Sequence, residues 1–151
     1  MPDAKNFLDT VDKSDFSTDS RSERVEKPWG YELLMSPRNA PYTFKVMHIK
    51  AGCRQSLQVH DAKSETYSVV KGQAAIVIEA SNGEMEQIEL KPESGFTTKI
   101  GQRHRLLGLT DCDVYEASTP EIGTTWRLED DYSRPDETEA VRAEPDRGWK
   151  S

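Results

Sequence analysis

The chain has 151 residues, about the length of one domain, and carries 20 basic and 27 acidic side chains for a formal net charge of -7. This balance argues against binding DNA or RNA through phosphates, because such binding requires clustered cationic surface. No apolar run approaches the roughly 20 residues of a membrane span, and the first residues, MPDAKNFLDTVDKSDF, lack a signal-peptide pattern. We therefore expect a soluble, cytoplasmic protein without nucleic-acid or membrane partners. Its two cysteines, Cys53 and Cys112, are expected to be reduced and buried.

The acidity is concentrated at the two ends of the chain. Residues 1–24 hold 6 acids and 4 bases, and residues 129–151 hold 8 acids and 4 bases. Both segments are polar and lack sustained periodicity, so we expect extensions that are mobile or lie on the surface. The nearly neutral middle, residues 25–128, is expected to bury the core of a single domain.

Short segments of alternating apolar and polar residues follow one another through the middle of the chain, and turn residues separate them. Asn82-Gly83 is a strong hairpin signal between two of these segments. No 3.6-residue apolar period is sustained, so the middle is predicted to be all-β, a sandwich or barrel. The predicted strands are TFKVMHIK (43–50), SLQVH (56–60), ETYSVV (65–70), QAAIVIEA (73–80), MEQIEL (85–90), FTTKI (96–100), HRLLGL (104–109) and VYEAS (114–118).

Four polar residues are candidates for a metal site. Gln58 and His60 are two apart in one predicted strand and so project from the same face. Glu65 follows a four-residue turn that folds it back beside His60, and His104 opens a later strand. Two imidazoles, a carboxylate and an amide oxygen suit a divalent ion that keeps open positions for water or substrate.

The glycines around these residues give the pattern of a known superfamily. Gly52 and Gly72 flank Gln58, His60 and Glu65 at the spacing of the first cupin motif, with Gln in place of the first His. The second motif is represented by Gly101 and His104, preceded by Gly95, with Lys99 at its proline and Gly108 at its asparagine. The sequence therefore resembles the cupin superfamily, and the resemblance implies a single cupin (double-stranded β-helix or jelly-roll) barrel.

Within the cupins, the sequence is similar to type II phosphomannose isomerases over roughly residues 25–134. The resemblance implies that Gln58, His60, Glu65 and His104 bind one divalent ion, which is Zn, Fe, Mn, Ni or Co. It also implies isomerisation or epimerisation of a sugar phosphate. The segments that carry the similarity are KPWGYELL (27–34), GCRQSLQVH (52–60), KSETYSVVKG (63–72), GQRHRL (101–106) and RLEDDYSR (127–134).

The chain departs from the isomerase family in two respects. Where the family has a histidine-rich stretch after the first metal-site histidine, this sequence has Asp61-Ala62. The nucleotidyltransferase domain that often precedes such a cupin is expected to be absent, since residues 1–24 are too short to encode one. Synthesis of sugar nucleotides is therefore not expected.

Candidate substrate-binding residues are Lys45, Arg54, Ser56 and Arg105. The three cations could hold a phosphate or another anionic group, and Ser56 shares the face of the metal-site residues on its strand. For each of the three cations the structural alternative is a solvated surface charge, and for Ser56 it is an ordinary hydroxyl on a strand face. Strand alternation points Arg105 away from the metal interior.

Other polar residues are expected to be structural. Lys63 is predicted to lie on the surface, and Glu129-Asp130-Asp131 is predicted to be a solvated cluster. His48 is expected at the core or rim. The aromatic residues Trp29 and Tyr31 are expected to pack, or else to wall the pocket or a subunit contact.

Three functions remain open from the sequence. The first is a metal-dependent isomerase or epimerase of sugar phosphates. The second is another cupin enzyme, such as an oxygenase, lyase or decarboxylase, and the third is a non-catalytic module that binds a sugar-like or anionic small molecule. Because a barrel sandwich of this length has open edge strands, a two-fold homodimer is expected in all three cases.

Overall fold

A computed structural model describes residues 3–149 of the protein. In these residues the chain forms two short helices and eleven strands. Neither helix is long and apolar enough to cross a membrane. The elements are α1 (Ala4–Leu8), β1 (Glu23–Lys27), β2 (Gly30–Leu34), β3 (Thr43–Ile49), β4 (Leu57–His60), β5 (Glu65–Lys71), β6 (Ala74–Glu79), β7 (Met85–Glu89), β8 (Phe96–Thr98), β9 (His104–Gly108), β10 (Cys112–Ser118), β11 (Thr125–Glu129) and α2 (Glu139–Ala143).

The strands form two antiparallel sheets that enclose the interior of a barrel. One sheet has the order β1-β2-β3-β10-β5-β8, and the other has the order β11-β4-β9-β6-β7. The predicted all-β class is confirmed. Each sheet has two edge strands, β1 and β8 in the first and β11 and β7 in the second. The homodimer expected from such edges stays a prediction.

The hairpin predicted from Asn82-Gly83 is confirmed and joins β6 to β7. Glu79 pairs with Met85 at its base, and the Oδ1 atom of Asn82 accepts a hydrogen bond of 3.0 Å from the backbone N–H of Glu84. Gly83 has φ 84°, a left-handed conformation that side chains with a Cβ disfavour. The local sequence therefore fixes the register of this pair of strands.

The inward face changes from apolar to charged along the strands. On β3, Ile49 and Met47 belong to the hydrophobic core, whereas the buried Lys45 follows them on the same face. On β10, Val114 belongs to the core and Glu116 is buried beyond it. One half of the barrel is thus a conventional apolar core and the other half a charged interior. The core consists of Trp29, Met47, Ile49, Tyr67, Val69, Ala74, Ile76, Ile78, Leu90, Leu106, Cys112 and Val114.

Three strands were not expected from the sequence, namely β1, β2 and β11. In β11 the inward positions carry Thr125 and Arg127, whereas Trp126 and Leu128 are exposed. The usual alternation is therefore inverted, because this strand faces the charged half of the barrel. A pattern search for apolar inward faces passes over such a strand.

The C-terminal extension does not behave as a detached tail. Thr125 and Glu137 exchange two backbone hydrogen bonds of 3.0 and 2.9 Å, and Arg147 is only 4% exposed. The ring of Trp149 lies edge-on to that of Tyr132 at 6.2 Å. We call residues 136–149 the C-terminal strap. It is held against the barrel because its charged side chains find partners in the interior.

Both cysteines are free thiols in the structure, but only one of the two is fully buried as expected. Cys112 is fully buried and belongs to the core, whereas Cys53 is only half-buried and packs against it. Burial raises the pKa of the Cys112 thiol to about 11. This thiol is therefore neutral at physiological pH and has the character of a small apolar core residue.

Candidate metal centre and its cavity

Three of the four predicted metal ligands converge in the barrel. The Nε2 atoms of His60 and His104 lie 3.1 and 3.0 Å from the Oε2 atom of Glu65. The ligand atoms of the three residues all lie within 4.8 Å of one another. All three side chains are buried, so one ion could contact all of them in a site shielded from water.

The strand register brings these residues together. Gln58 on β4 pairs directly with His104 on β9, and His60 lies two residues further along the same face of β4. The backbone N–H of Gly101 donates a 2.9 Å hydrogen bond to the carbonyl of His60. The turn before β9 is therefore anchored to the end of β4. Glu65 projects toward both histidines from β5 in the opposite sheet.

A hydrogen bond at Nδ1, the ring nitrogen that faces away from Glu65, orients each imidazole. The Nδ1 atom of His104 donates to the backbone carbonyl of Gln102 at 2.9 Å, and Nδ1 of His60 lies 3.0 Å from the Oγ1 atom of Thr125. With Nδ1 occupied in both rings, Nε2 is the atom free to coordinate a metal. The hydroxyl of Tyr67 donates to Glu65 Oε2, which fixes the carboxylate as well.

Gln58 lies at the edge of this group. Its Nε2 atom is 3.5 Å from Nε2 of His60, and its Oε1 atom accepts a 2.9 Å hydrogen bond from Ser56. A half-turn of the amide exchanges its oxygen and nitrogen. The oxygen would then face the histidines, and the NH₂ group would donate to the hydroxyl of Ser56.

The protonation states of the donors suit a metal ion. Burial lowers the pKa of His60, which favours the neutral imidazole. Burial opposes ionisation of Glu65, but the Lys63 ammonium and the two adjacent imidazoles outweigh it and hold the pKa of Glu65 well below its usual range. Neutral imidazole and ionised carboxylate are the forms that bind metals. The residues present therefore fit a divalent ion.

The cavity beside the three converging donors is lined mainly by charged side chains. Such groups are seldom buried unless they are paired, so this interior is a network of ion pairs rather than a core. The cations are Lys27, Lys45, Lys63, Arg127, Arg134 and Arg147, and the carboxylates are Glu32, Glu65, Glu116, Glu121 and Glu137.

Two lysines connect the metal-site carboxylate to the rest of this network. Lys63 lies between Glu65, at 2.5 Å, and Glu116, at 3.1 Å. Lys45 lies 3.5 Å from Glu116 and 3.0 Å from Glu121. The prediction that Lys63 lies on the surface is therefore wrong. Its partners are two buried acids: Glu65, two residues along the chain, and Glu116 on β10.

The four candidate substrate residues fall into two groups. Lys45 and Ser56 line the cavity. Arg54 is exposed and pairs with Asp131 at 2.7 Å. Arg105 lies next to His104 on β9, where it pairs with Glu129 at 3.4 Å, and neither arginine is among the residues that line the cavity. Alternation along β9 explains why Arg105 and His104 point to different sides.

The acidic run at the end of β11 is only partly solvated. The side chain of Asp130 is 6% exposed and pairs with Arg134 at 2.6 Å, so the expectation of a solvated cluster is wrong for this residue. Asp131 and Glu129 are exposed.

Of the residues expected to be structural, His48 lies away from the metal-site donors. Its Nδ1 atom is 2.7 Å from Asp113 Oδ1, and its ring stacks on Tyr31 with centroids 4.8 Å apart. Trp29 is buried and lines the cavity. The sequence reasoning missed the cavity residues Lys27, Glu116, Arg127 and Arg147. Two of them lie in KPWGYELL (27–34) and RLEDDYSR (127–134), segments that had already carried the family resemblance.

Three arginines of the cavity mouth share the carboxylate of Glu137. Arg147 lies 2.6 Å from it, Arg142 3.3 Å and Arg127 3.4 Å. Burial opposes ionisation of this carboxyl, but the Arg147 guanidinium and the other nearby cations outweigh it and lower the pKa of Glu137 far below the reference value of 4.5. The folded state therefore binds a proton at Glu137 less readily than the unfolded state.

Because the pKa of Glu137 is lower in the folded state than in the unfolded state, the folded protein is expected to lose stability in acid. The contribution of ionised Glu137 is fully present above the unfolded-state pKa of 4.5 and is lost as the pH falls toward the depressed folded-state value. Glu137→Gln is therefore expected to be less stable than wild type at pH 7 and to lose less stability between pH 5 and pH 3. Urea unfolding at several pH values measures this. Parallel curves for the two proteins would contradict the assignment.

Comparison with known proteins agrees with this architecture. The family model described as "Mannose-6-phosphate isomerase C-terminal" matches residues 14–131. No curated protein matches the sequence. Among solved structures, the capsular polysaccharide assembling protein CapF from Staphylococcus aureus is similar with a TM-score of 0.61 and 19% identity, over 83% of this chain and 36% of that one.

Two further solved structures are similar. Oxalate decarboxylase from Bacillus subtilis has a TM-score of 0.61 and 17% identity, over 76% of this chain and 34% of the other. KdgF from Halomonas sp. has a TM-score of 0.54 and 18% identity, over 67% of this chain and 88% of the other. The chain thus spans about a third of the length of CapF and of the decarboxylase. At these identities the likenesses establish the cupin fold, and the family match over residues 14–131 shows that the chain belongs to the mannose-6-phosphate isomerase C-terminal family.

Proposed function

We propose that the protein is a metal-dependent cupin isomerase that interconverts the aldose and ketose forms of a sugar phosphate. The convergence of His60, Glu65 and His104 beside a cavity lined by ion pairs carries this proposal. A polyhydroxylated, anionic ligand is suited to such a cavity, because its hydroxyl and phosphate oxygens can replace the water that the charged groups would otherwise need.

Gln58, His60, Glu65 and His104 would hold one divalent ion of Zn, Fe, Mn, Ni or Co. When bound, the ion supplies a Lewis acid that polarises the sugar carbonyl and its neighbouring hydroxyl. The lowered pKa values of His60 and Glu65 favour the neutral imidazole and the ionised carboxylate, the forms that bind a metal. Lys63 contacts the second oxygen of Glu65, which leaves Oε2 to face the histidines.

Isomerisation also requires a group that removes a proton from the carbon beside the carbonyl and returns it to the neighbouring carbon. We propose Glu116 for this role. Burial raises the pKa of its carboxyl, and the ammonium groups of Lys45 and Lys63 offset this only in part. The other four cavity carboxyls, on Glu32, Glu65, Glu121 and Glu137, all have lowered pKa values. Glu116 is thus the cavity carboxyl whose pKa is raised, and it lies close to the metal-site carboxylate, since Lys63 contacts both Glu116 at 3.1 Å and Glu65 at 2.5 Å.

The proposal predicts that Glu116→Gln lowers kcat for mannose 6-phosphate by about 100-fold or more, a typical loss for a general base. Its metal content should equal that of wild type, since Glu116 is not one of the proposed ligands. Glu86→Gln, an exposed position on β7, is the matched control and should keep full activity. Absence of turnover by the wild-type protein with every hexose phosphate tested would overturn the isomerase proposal.

A second candidate is a non-catalytic module that binds the same kind of ligand. The position after His60 favours it: the Oδ1 atom of Asp61 accepts a 2.8 Å hydrogen bond from the backbone N–H of Thr124. Asp61 therefore has a structural role where the isomerase family has histidines. A sugar phosphate that raises the thermal stability of the wild-type protein, yet is never converted, would favour this candidate.

A further inference from the structure

We propose that Lys27 and Arg127 form an anion subsite in the cavity and bind the phosphate group of the ligand. The inference deepens the proposed function and rests on it for the identity of the ligand as a sugar phosphate. It differs from the expectation drawn from the sequence, in which Lys45, Arg54 and Arg105 were the phosphate candidates. In the structure these three side chains are already paired with carboxylates.

Arg127 is a buried cation with unused donors. Its side chain is 6% exposed and lies 3.4 Å from a Glu137 oxygen through Nη2. The Nε and Nη1 atoms are buried and have no hydrogen-bond partner among residues 3–149. Because an unpaired buried donor is costly, an oxyanion in the cavity would supply acceptors that the protein lacks.

Lys27 is the second unpartnered cation of the cavity. It ends β1 and is only 7% exposed. Within residues 3–149 no ion pair or side-chain hydrogen bond reaches its ammonium group, and burial lowers its pKa despite the field of Glu32. The other cavity lysines differ in this respect, since Lys45 and Lys63 each contact carboxylates.

The carboxylates of the cavity do not neutralise these two residues. Six cations line the cavity; Arg134 is neutralised by Asp130 at 2.6 Å, and the other five face five carboxylates. Among residues 3–149, Glu137 is the one acid that pairs with the Arg127 guanidinium, and it also contacts Arg142 and the closer Arg147. A divalent ion at the histidines would add two positive charges. With such an ion bound, the cavity would carry a surplus of positive charge that an anionic ligand would balance.

The position of Arg127 relative to the metal-site residues fits one ligand that contacts both. On β11, Thr125 pairs with His60 and Arg127 pairs with Gln58. Paired residues of adjacent strands project from the same face, so Arg127 lies beside Gln58 on the cavity face, next to the proposed metal ligands. Gln55 offers a buried Oε1 atom that has no partner within the described residues, and it lines the same cavity. It would accept a hydrogen bond from a sugar hydroxyl.

The test measures binding rather than turnover. Isothermal titration of the full chain with inorganic phosphate at pH 7 should show binding, and Arg127→Gln and Lys27→Met should each weaken it by about tenfold or more. Mannose 6-phosphate should bind wild type more tightly than mannose does, and the difference should shrink in both variants. Arg24→Gln is the matched control, because it removes one positive charge at an exposed position of the same strand as Lys27. It should bind phosphate as wild type does.

The outcomes separate the subsite from the proposed activity. Unchanged phosphate binding in both folded variants, or no binding by wild type at millimolar phosphate, would overturn the subsite even if the protein isomerises sugar phosphates. Loss of phosphate binding in the variants would establish the subsite even if wild type shows no turnover. Circular dichroism checks that each variant folds. Lys27→Arg keeps the positive charge and should therefore still bind phosphate. If this variant does not bind phosphate, that result would also count against the subsite.

Discussion

Replacement of His60 or His104 by alanine is expected to abolish stoichiometric binding of a divalent ion. Each substitution removes one of two imidazole donors whose Nε2 atoms lie about 3 Å from Glu65 Oε2, and the remaining ligands would hold an ion far less well. Elemental analysis of protein purified from metal-supplemented medium measures the content. Because binding to the folded state alone adds RT ln(1 + [L]/Kd) to stability, both variants should also lose the rise in Tm that metal gives wild type.

His48→Ala is the matched control for this experiment. His48 pairs with Asp113 away from the metal-site donors, so its removal should leave metal content unchanged. In wild type, metal binding should weaken as the pH falls, since protons compete for imidazole nitrogen. Burial lowers the pKa of His60, so this weakening should begin below the range of a free histidine, about 6.5. Equal metal content in wild type and His104→Ala would remove the metal centre from the proposed function.

Much of the fold was predictable because its strands obey local rules. The alternation in TFKVMHIK (43–50) corresponds to β3 (Thr43–Ile49), and the Asn82-Gly83 turn joins β6 to β7. Spacing and glycines were also enough to bring His60, Glu65 and His104 into one group. These features depend on residues close in sequence or on a motif whose geometry is shared by a whole superfamily.

The cavity was less predictable, because its chemistry contradicts the rule that charged residues face solvent. Glu116 is 2% exposed and Lys63 is 7% exposed, yet in sequence each resembles a solvated strand or turn residue. Only the pairing of distant strands shows that they meet: Lys63 and Glu116 are 53 positions apart and lie 3.1 Å from each other. Such a contact forms only when the barrel closes, so the periodicity of the sequence cannot predict it.

The position of the C-terminal strap was also not predictable from the sequence, because it depends on contacts between residues far apart in the chain. Arg147 lies 3.6 Å from Glu32, 3.1 Å from Glu121 and 2.6 Å from Glu137. A segment with low hydrophobicity and many charges is typical of a mobile tail. Here Arg147 enters the charged half of the barrel, where the carboxylates around it keep it ionised and raise its pKa.

Arg147→Met is accordingly expected to be the most destabilising single substitution in the strap. It leaves the three carboxylates of Glu32, Glu121 and Glu137 with fewer cations in a buried setting, and breaking a buried pair in this way costs about 3 kcal/mol or more. For a domain of this size the loss corresponds to a fall in Tm of roughly 10 °C, measured by differential scanning calorimetry. Arg38→Gln breaks an exposed pair with Glu23 and should cost less than about 1 kcal/mol. If the two variants unfold at the same temperature, Arg147 does not hold the strap in the barrel mouth.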